Sequence, residues 1–331
     1  MHHCFFAHSF ITYLVGRLVA NQLGLSREEQ TILCARGFIP NPSDEDICIH
    51  TKLDTAGEDF PSYLKFYKGR KKMKAFDALL NGRIHGRPFK FYTFSKWHRY
   101  NQIVFGMKNC LGEAILEEGL NSYGSVKYNA KYLKFPISRY ARFWNALNYD
   151  HRIRCRGFVD LDSEFYCLFE NCFPDAIHKH LVLDSDVAIK ICSEQALEIP
   201  ENAVILVHEW GYGYNWKHLR QYTSLIMHLI EKQRVKSLYH KYHPVHTKEA
   251  MEYFSATLAK AGISAIELPK SVPLEYYAFN PKPYKFLGLN SSVLHYARMF
   301  QKEVHTVFDF EWGTLLPSTD ELLLESGCLF N

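Results

Sequence analysis

An apolar, β-branched run at residues 203–208, with the sequence AVILVH, does most to constrain the fold of this chain. Such a run is typical of a strand that is buried on both faces in the middle of a parallel sheet. Strand-like and helical segments alternate after it, which predicts an α/β unit. We expect strands at 235–239, 263–268, 284–289 and 304–307, and helices at 217–232, 248–261 and 291–301.

The first part of the chain shows a similar alternation. A strand at residues 4–7, a turn at Ser9, a helix that ends before Gly24 and a strand at 30–35 form a strand–helix–strand start. Ser9 would lie at the carboxyl end of the first strand or cap the helix that follows it. Residues 40–60 are polar and predict a loop, and further strands are expected at 89–94, 102–107 and 113–118.

The length of 331 residues exceeds that of a typical single domain of about 100–200 residues. We therefore expect two Rossmann-like domains, residues 1–190 and 191–331, around a central cleft. The tail from about residue 317 is expected to pack back on the first domain. Apolar residues at 47% and charged residues at 22% fit a globular protein with a sizeable core.

The charge and the cysteines exclude some classes of protein. A net charge of +4 is too small to indicate nucleic-acid binding, although it suits an anionic nucleotide sugar or an anionic membrane surface. The nine cysteines show no zinc spacing, and they indicate reduced thiols. The N-terminal residues lack the pattern of a signal peptide, and no apolar stretch reaches ~18 residues. We expect a cytoplasmic protein.

A lysine and a histidine follow the strand predicted at 235–239, in the sequence VKSLYHKYHPV. Pro244 should end that strand, so Lys241 and His243 would lie at a strand end, where α/β sheets bind ligands. Lys241 suits a phosphate, and His243 could donate a hydrogen bond or a proton to it. A metal site is the local alternative, because histidines recur at every third position. On a strand that spacing alternates faces, and Pro244 precludes a regular helix; a structural histidine also stays open.

Two adjacent carboxylates, Glu117 and Glu118, precede Gly119 at the end of another predicted strand. A carboxylate there could take the proton of an acceptor hydroxyl, and the glycine permits a sharp turn. Adjacent strand residues point to opposite faces, so only one carboxylate can reach the acceptor. We prefer Glu118 as the base, with Glu117 holding the loop. Taken alone, the dipeptide also fits an ordinary surface pair.

Three further groups fit a bound nucleotide. Ser291 and Ser292 open a predicted helix, where hydroxyl and free N–H groups can bind phosphate, although one serine could simply cap the helix. Glu275 follows a proline-rich turn and could accept a hydrogen bond from the exocyclic amine of cytosine. Gly211 and Gly213 follow the apolar run and permit close approach of a ligand to the backbone.

Together, Glu118-Gly119, Lys241-x-His243-Pro244, Glu275 and Ser291-Ser292 resemble the motifs of the bacterial sialyltransferases of the GT-B fold. The lipooligosaccharide sialyltransferases and polysialyltransferases carry (Asp/Glu)-(Asp/Glu)-Gly, His-Pro and Ser-(Ser/Thr) motifs in this order. The resemblance implies an inverting, metal-independent transferase that moves sialic acid from CMP-sialic acid to a terminal sugar of a bacterial surface glycan. It implies that the acidic motif supplies the base, His243 acts on the phosphate, both serines hold it, and Glu275 recognises cytosine. The first domain would then bind the acceptor and the second the CMP-sugar, with no cofactor.

Other functions stay open. A CMP-Kdo transferase of the same fold would use the same groups, and the DxD sequence Asp160-Leu-Asp162 could instead hold a divalent metal against a diphosphate. Residues 127–156 combine basic and aromatic side chains, which suits anionic lipid head groups at the inner membrane or a phosphorylated acceptor. A non-enzymatic carbohydrate- or lipid-binding module would use that same segment. The oligomeric state, a homodimer included, is not fixed by the sequence.

Overall fold

The computed structural model describes residues 1–51, 66–95, 99–123, 143, 146–147, 163–208, 216–243 and 246–306. The chain divides into two compact units, Met1–Ile191 and Cys192–Asn331. The described strands of each unit form one parallel sheet, and each unit is described here by itself.

The first unit is built on a seven-stranded parallel sheet in the order β3-β2-β1-β4-β5-β6-β7. Its strands are β1 His2–Ala7, β2 Gln30–Cys34, β3 Cys48–His50, β4 Phe89–Thr93, β5 Cys110–Leu116, β6 Glu164–Cys167 and β7 His178–Leu181. The helices described in it are α1 Phe10–Gln22, α2 Phe66–Ile84, α3 Arg99–Phe105 and α4 Ser185–Ser193, of which the last two residues belong to the second unit, with 3-10 turns at Arg27–Glu29, Pro42–Ile47 and Leu120–Tyr123. The order 3-2-1-4-5 is that of Rossmann-like sheets.

The central strand β1 is buried along its whole length, as a strand with helices on both faces must be. On one face Cys4 and Phe6 pack into the cluster formed with α2 and α3. On the other face Phe5 meets α1, where a Cβ added to Gly16 would lie 3.2 Å from the Phe5 ring. A glycine at that position therefore lets α1 lie close to the sheet.

The second unit repeats the arrangement with five parallel strands in the order β10-β9-β8-β11-β12. Its strands are β8 Val204–Val207, β9 Ser237–Lys241, β10 Ser264–Glu267, β11 Lys285–Gly288 and β12 Glu303–Thr306. Its helices are α5 Trp216–Lys232, α6 Lys248–Lys260, α7 Leu274–Phe279 and α8 Ser292–Met299. The apolar run at 203–208 forms the central strand, as predicted.

Three predicted elements were wrong or displaced. Residues 102–107 were expected to form a strand but lie mostly in α3, because Tyr100, Ile103, Val104 and Met107 follow a helical spacing and pack into one cluster. The polar stretch at 40–60 contains a 3-10 turn and β3. The strand expected at 235–239 is β9, so Lys241 is a strand residue rather than a loop residue.

Several predictions fall outside the described residues. These are Gly211, Gly213, Pro244, the DxD sequence, the tail from 317 and nearly all of the basic-aromatic segment at 127–156. Among the helices that are described, none combines the length and the apolar character needed to cross a membrane.

Candidate functional site

Three side chains meet at the carboxyl edge of the first sheet, each just after a strand. His8 follows β1, Phe94 follows β4 and Glu118 follows β5. His8 Nε2 lies 3.0 Å from Glu118 Oε1, and the ring centroids of His8 and Phe94 are 4.0 Å apart. The side chain of His8 is 3% exposed and that of Glu118 is 24% exposed. One carboxylate oxygen of Glu118 is therefore held by a buried ring while part of the group reaches solvent.

The backbone fixes the direction in which Glu118 points. Its N–H donates to Ser122 Oγ at 2.9 Å, and the Ser122 N–H donates to the Gly119 carbonyl at 2.9 Å. Gly119 has a φ of +120°, a conformation that residues with a Cβ rarely adopt. The glycine therefore allows the sharp turn that the sequence predicted.

Glu117 is completely buried and points into the protein. The Tyr123 hydroxyl donates to its Oε1 at 2.7 Å, and the Leu168 N–H donates to its Oε2 at 2.7 Å. Burial, together with the charge of Glu117, raises the pKa of Tyr123. Glu117 joins the turn after β5 to the backbone after β6, so its role is to stabilise this turn.

Ser9 acts as the N-cap of α1, which is one of the two roles that the sequence allowed. Its hydroxyl accepts from the Thr12 N–H, and Thr12 returns a bond to the cap backbone. His8, immediately before it, was not identified from the sequence. A histidine between a buried strand and a capped helix is the signal that could have identified it, because the carboxyl ends of such strands are where ligands bind.

At the carboxyl edge of the second sheet, Lys241 ends β9 and reaches the loop that precedes α7. Its Nζ donates to the carbonyl of Val272 at 2.6 Å and to that of Lys270 at 3.3 Å. Burial lowers the pKa of Lys241, and the nearby charge of Glu275 opposes that change. Lys241 thus holds this loop in addition to any contact with a ligand.

Glu275 lies in the first turn of the short helix α7, directly after that loop. Burial raises the pKa of its carboxyl group, and Lys241 acts in the opposite direction. The two residues are thus within electrostatic reach of each other.

His243 follows β9, and its ring centroid lies 6.2 Å from that of His246. Burial lowers the pKa of His243 to about 4, and the neighbouring His246 and Lys241 add to the effect. The imidazole is therefore neutral at pH 7 and presents one N–H donor and one acceptor.

The second unit also contains a buried chain of three hydrogen-bonded rings that was not predicted from the sequence. The Tyr222 hydroxyl lies 2.8 Å from His208 Nδ1, and His208 Nε2 lies 3.2 Å from His240 Nδ1. Burial lowers the pKa of both histidines, that of His240 to about 4. Among the described residues no group of three or more His, Cys, Asp or Glu side chains is arranged to hold a metal ion.

Ser291 caps α8, since its Oγ accepts from the Val293 N–H at 3.3 Å. Ser292 is the first residue of the helix. Asn290 and both serines follow β11, the neighbour of the central strand on the side away from Lys241.

The predicted residues therefore lie at two sheet edges. In the first unit Glu117 and Glu118 follow β5, with only Glu118 partly accessible. In the second unit the carboxyl ends of β9, β10 and β11 place five predicted residues along one edge: Lys241, His243, Glu275, Ser291 and Ser292.

Comparison with solved structures defines the class of fold. A putative UDP-N-acetylglucosamine 2-epimerase from Listeria monocytogenes aligns with a TM-score of 0.52 at 11% identity, covering 93% of this chain and 79% of that one. The UDP-GlcNAc 2-epimerase of Methanocaldococcus jannaschii, in complex with UDP-GlcNAc and UDP, aligns with a TM-score of 0.53 at 13% identity, covering 97% and 87%. The predicted α/β fold of the GT-B class is confirmed. No protein-family model and no curated protein sequence matches the chain.

Proposed function

We propose that this protein is a glycosyltransferase that uses a nucleotide sugar. The observation that carries the proposal is the grouping of Lys241, His243, Glu275, Ser291 and Ser292 at the carboxyl edge of one Rossmann-like sheet. These residues lie far apart in sequence, and each has a side chain suited to a nucleotide phosphate or base. Ligands of open α/β sheets bind at this edge.

The second unit would bind the donor. The hydroxyl groups of Ser291 and Ser292 and the N-terminal N–H groups of α8 are donors for a phosphate. His243, as a neutral imidazole, can donate one hydrogen bond to the leaving phosphate oxygen. Glu275 could accept from the exocyclic amine of cytosine, which uracil lacks. Lys241 contributes positive charge and holds the loop before Glu275.

The first unit would supply the base. The acceptor hydroxyl oxygen forms a bond to the anomeric carbon while the bond from that carbon to the phosphate oxygen breaks. The electron pair of the broken bond leaves with the nucleotide phosphate, and the hydroxyl proton passes to the carboxylate of Glu118. Partial exposure suits Glu118 for this step, whereas Glu117 is fully buried and has two hydrogen-bonded oxygens.

The finer proposal is transfer of sialic acid from CMP-sialic acid, with inversion and without a metal, to a terminal galactoside or sialic acid of a bacterial surface glycan. Its support is the motif order, with Glu-Glu-Gly followed by Lys-x-His-Pro and Ser-Ser. CMP-Kdo is the alternative donor, because its nucleotide is the same. We also propose that residues 127–156 contact an anionic membrane and that the protein forms a homodimer.

The test is nucleotide release from a panel of donors, CMP-sialic acid, CMP-Kdo and UDP-GlcNAc, each with and without lactose and with and without EDTA. We expect release from CMP-sialic acid that depends on lactose and is unaffected by EDTA. Release only from CMP-Kdo would show that CMP-Kdo, and not CMP-sialic acid, is the donor. Acceptor-independent turnover of UDP-GlcNAc, or metal-dependent release from a UDP-sugar, would overturn the proposal.

A further inference from the structure

We propose that His8 is a positioning residue that orients Glu118 for proton transfer through a partly buried imidazole–carboxylate pair. The inference rests on the proposed function for its catalytic part, and on the geometry of the first unit for the pair itself. Neither residue is near the other in sequence, since 110 positions separate them. The parallel sheet brings them together at the carboxyl ends of β1 and β5, on either side of β4.

The ring of His8 is fixed by its surroundings. It packs against Phe94 after β4, with ring centroids 4.0 Å apart, and its own backbone N–H donates to Thr12 Oγ1 at 3.2 Å. Among the described residues Nδ1 is buried and has no hydrogen-bond partner, while Nε2 faces the carboxylate. The arrangement selects the tautomer that carries its proton on Nε2, because only that nitrogen has an acceptor.

The pair leaves one oxygen of Glu118 for chemistry. Oε1 accepts from His8 Nε2, and the backbone N–H of Glu118 is occupied by Ser122 Oγ. In the described part of the chain Oε2 receives no hydrogen bond, and the side chain is 24% exposed. Oε2 is thus the oxygen that would take the acceptor proton, while the His8 bond fixes the direction of the carboxylate and of its free lone pair.

The chain offers a matched control in the same unit. His50 is the last residue of β3, and its Nε2 lies 2.8 Å from Oε1 of Glu45 in the preceding 3-10 turn, but the two side chains are 50% and 61% exposed. An exposed pair of this kind contributes little to stability, because water solvates both partners. His50→Phe should therefore leave activity unchanged.

The activity test compares His8→Phe and His8→Gln with the wild type. His8→Phe keeps a ring against Phe94 and removes the donor, so we expect kcat to fall about 10- to 100-fold, as for one hydrogen bond to a charged group. The donor KM should change little, because His8 lies in the first unit and the donor residues lie in the second. His8→Gln retains an N–H donor and should recover part of kcat. Wild-type kcat in a folded His8→Phe protein, or no recovery of kcat in a folded His8→Gln protein, would overturn the positioning role.

A second measurement does not depend on activity. Nitrogen-15 NMR of the histidine rings should show His8 in the Nε2-protonated tautomer, and Glu118→Gln should shift the His8 nitrogens while leaving those of His50 unchanged. Unchanged His8 nitrogens in Glu118→Gln would disprove the pair. If they shift but the wild type transfers no sugar from any donor, the pair is upheld and the proposed function is overturned.

Discussion

Lys241 Nζ lies 2.6 Å from the carbonyl oxygen of Val272, and this bond ties the end of β9 to the loop before α7. A second bond reaches the carbonyl of Lys270. The ammonium donates to two carbonyls of this loop and so holds the segment that leads into α7, where Glu275 is the second residue. A residue selected from the sequence as a phosphate ligand thus also holds the loop that leads to another candidate ligand.

Replacing Lys241 with methionine should therefore affect stability as well as binding. The two lost hydrogen bonds come from a charged donor, so we expect the unfolding free energy to fall by about 1.5–3 kcal/mol. The donor KM should rise. Urea unfolding gives the first quantity and steady-state kinetics the second. Lys248→Met is the control, since Lys248 is 81% exposed; equal stability losses in the two variants would contradict the assignment.

The two adjacent glutamates should give opposite results when each is changed to glutamine. Glu117→Gln places an amide NH₂ or a weaker acceptor against groups that both donate, so the unfolding free energy should fall by about 1–3 kcal/mol. Glu118→Gln should leave stability nearly unchanged and abolish transfer. Paired urea titrations and nucleotide-release assays measure both effects. Loss of activity without loss of stability in Glu117→Gln would instead make Glu117 the base.

Two histidines of the second unit, the buried His240 and the partly buried His243, predict a loss of stability at acidic pH. Burial lowers the folded-state pKa of His240 and His243 to about 4, whereas the ordinary value is 6.5. The unfolded chain therefore binds more protons as the pH falls below 6.5, so stability decreases from there toward pH 4. Each histidine contributes at most about 1.4 kcal/mol per pH unit in that window.

Urea unfolding at a series of pH values checks this dependence, with His240→Gln as the test variant and His50→Gln as the exposed control. The slope should become shallower in the first variant only. An identical slope in wild type and His240→Gln would contradict the burial argument.

Gly288 should not tolerate a side chain. A Cβ there would lie 2.8 Å from Leu294 Cδ1 and 2.9 Å from the Val207 carbonyl oxygen, and the carbonyl belongs to the neighbouring strand β8. We expect Gly288→Ala to lower the unfolding free energy by about 1–3 kcal/mol, as overpacking does. Gly82 lies within α2 with open space around it, so Gly82→Ala should raise stability by about 0.5–1 kcal/mol. Thermal unfolding of both variants measures the two changes in stability. Equal changes in Gly288→Ala and Gly82→Ala would refute the prediction.

The elements that sequence analysis predicted correctly are those with strong local patterns. The run at 203–208 is apolar on both faces and forms β8, and Ser9 and Ser291 precede the helices that they cap. The strand predicted at 102–107 was wrong because a short apolar run fits both the strand period and the helix period. Packing against Phe76 and Met73 favours the helix.

Contacts between distant residues could not be obtained in this way. His8 gains its role from Glu118, and the loop at Val272 is fixed by Lys241, through strand pairings that no local pattern encodes. Glu117 and Glu118 have the same side chain, so the sequence alone does not distinguish their roles. Their burial does, because only Glu118 is partly exposed. The buried chain from Tyr222 through His208 to His240 likewise depends on the alignment of β8 and β9.

The order of strands also bears on how the chain is made. Of the strands that the structure describes, the first to leave the ribosome in each unit, β1 or β8, becomes an interior strand, and each later one joins at a free edge. Among the described strands, none has to be inserted between two that are already paired, so the sheets that they form can grow without reopening during synthesis. The first unit can therefore complete its sheet while the second is still being translated, which shortens the time for which its apolar strands are exposed to other nascent chains.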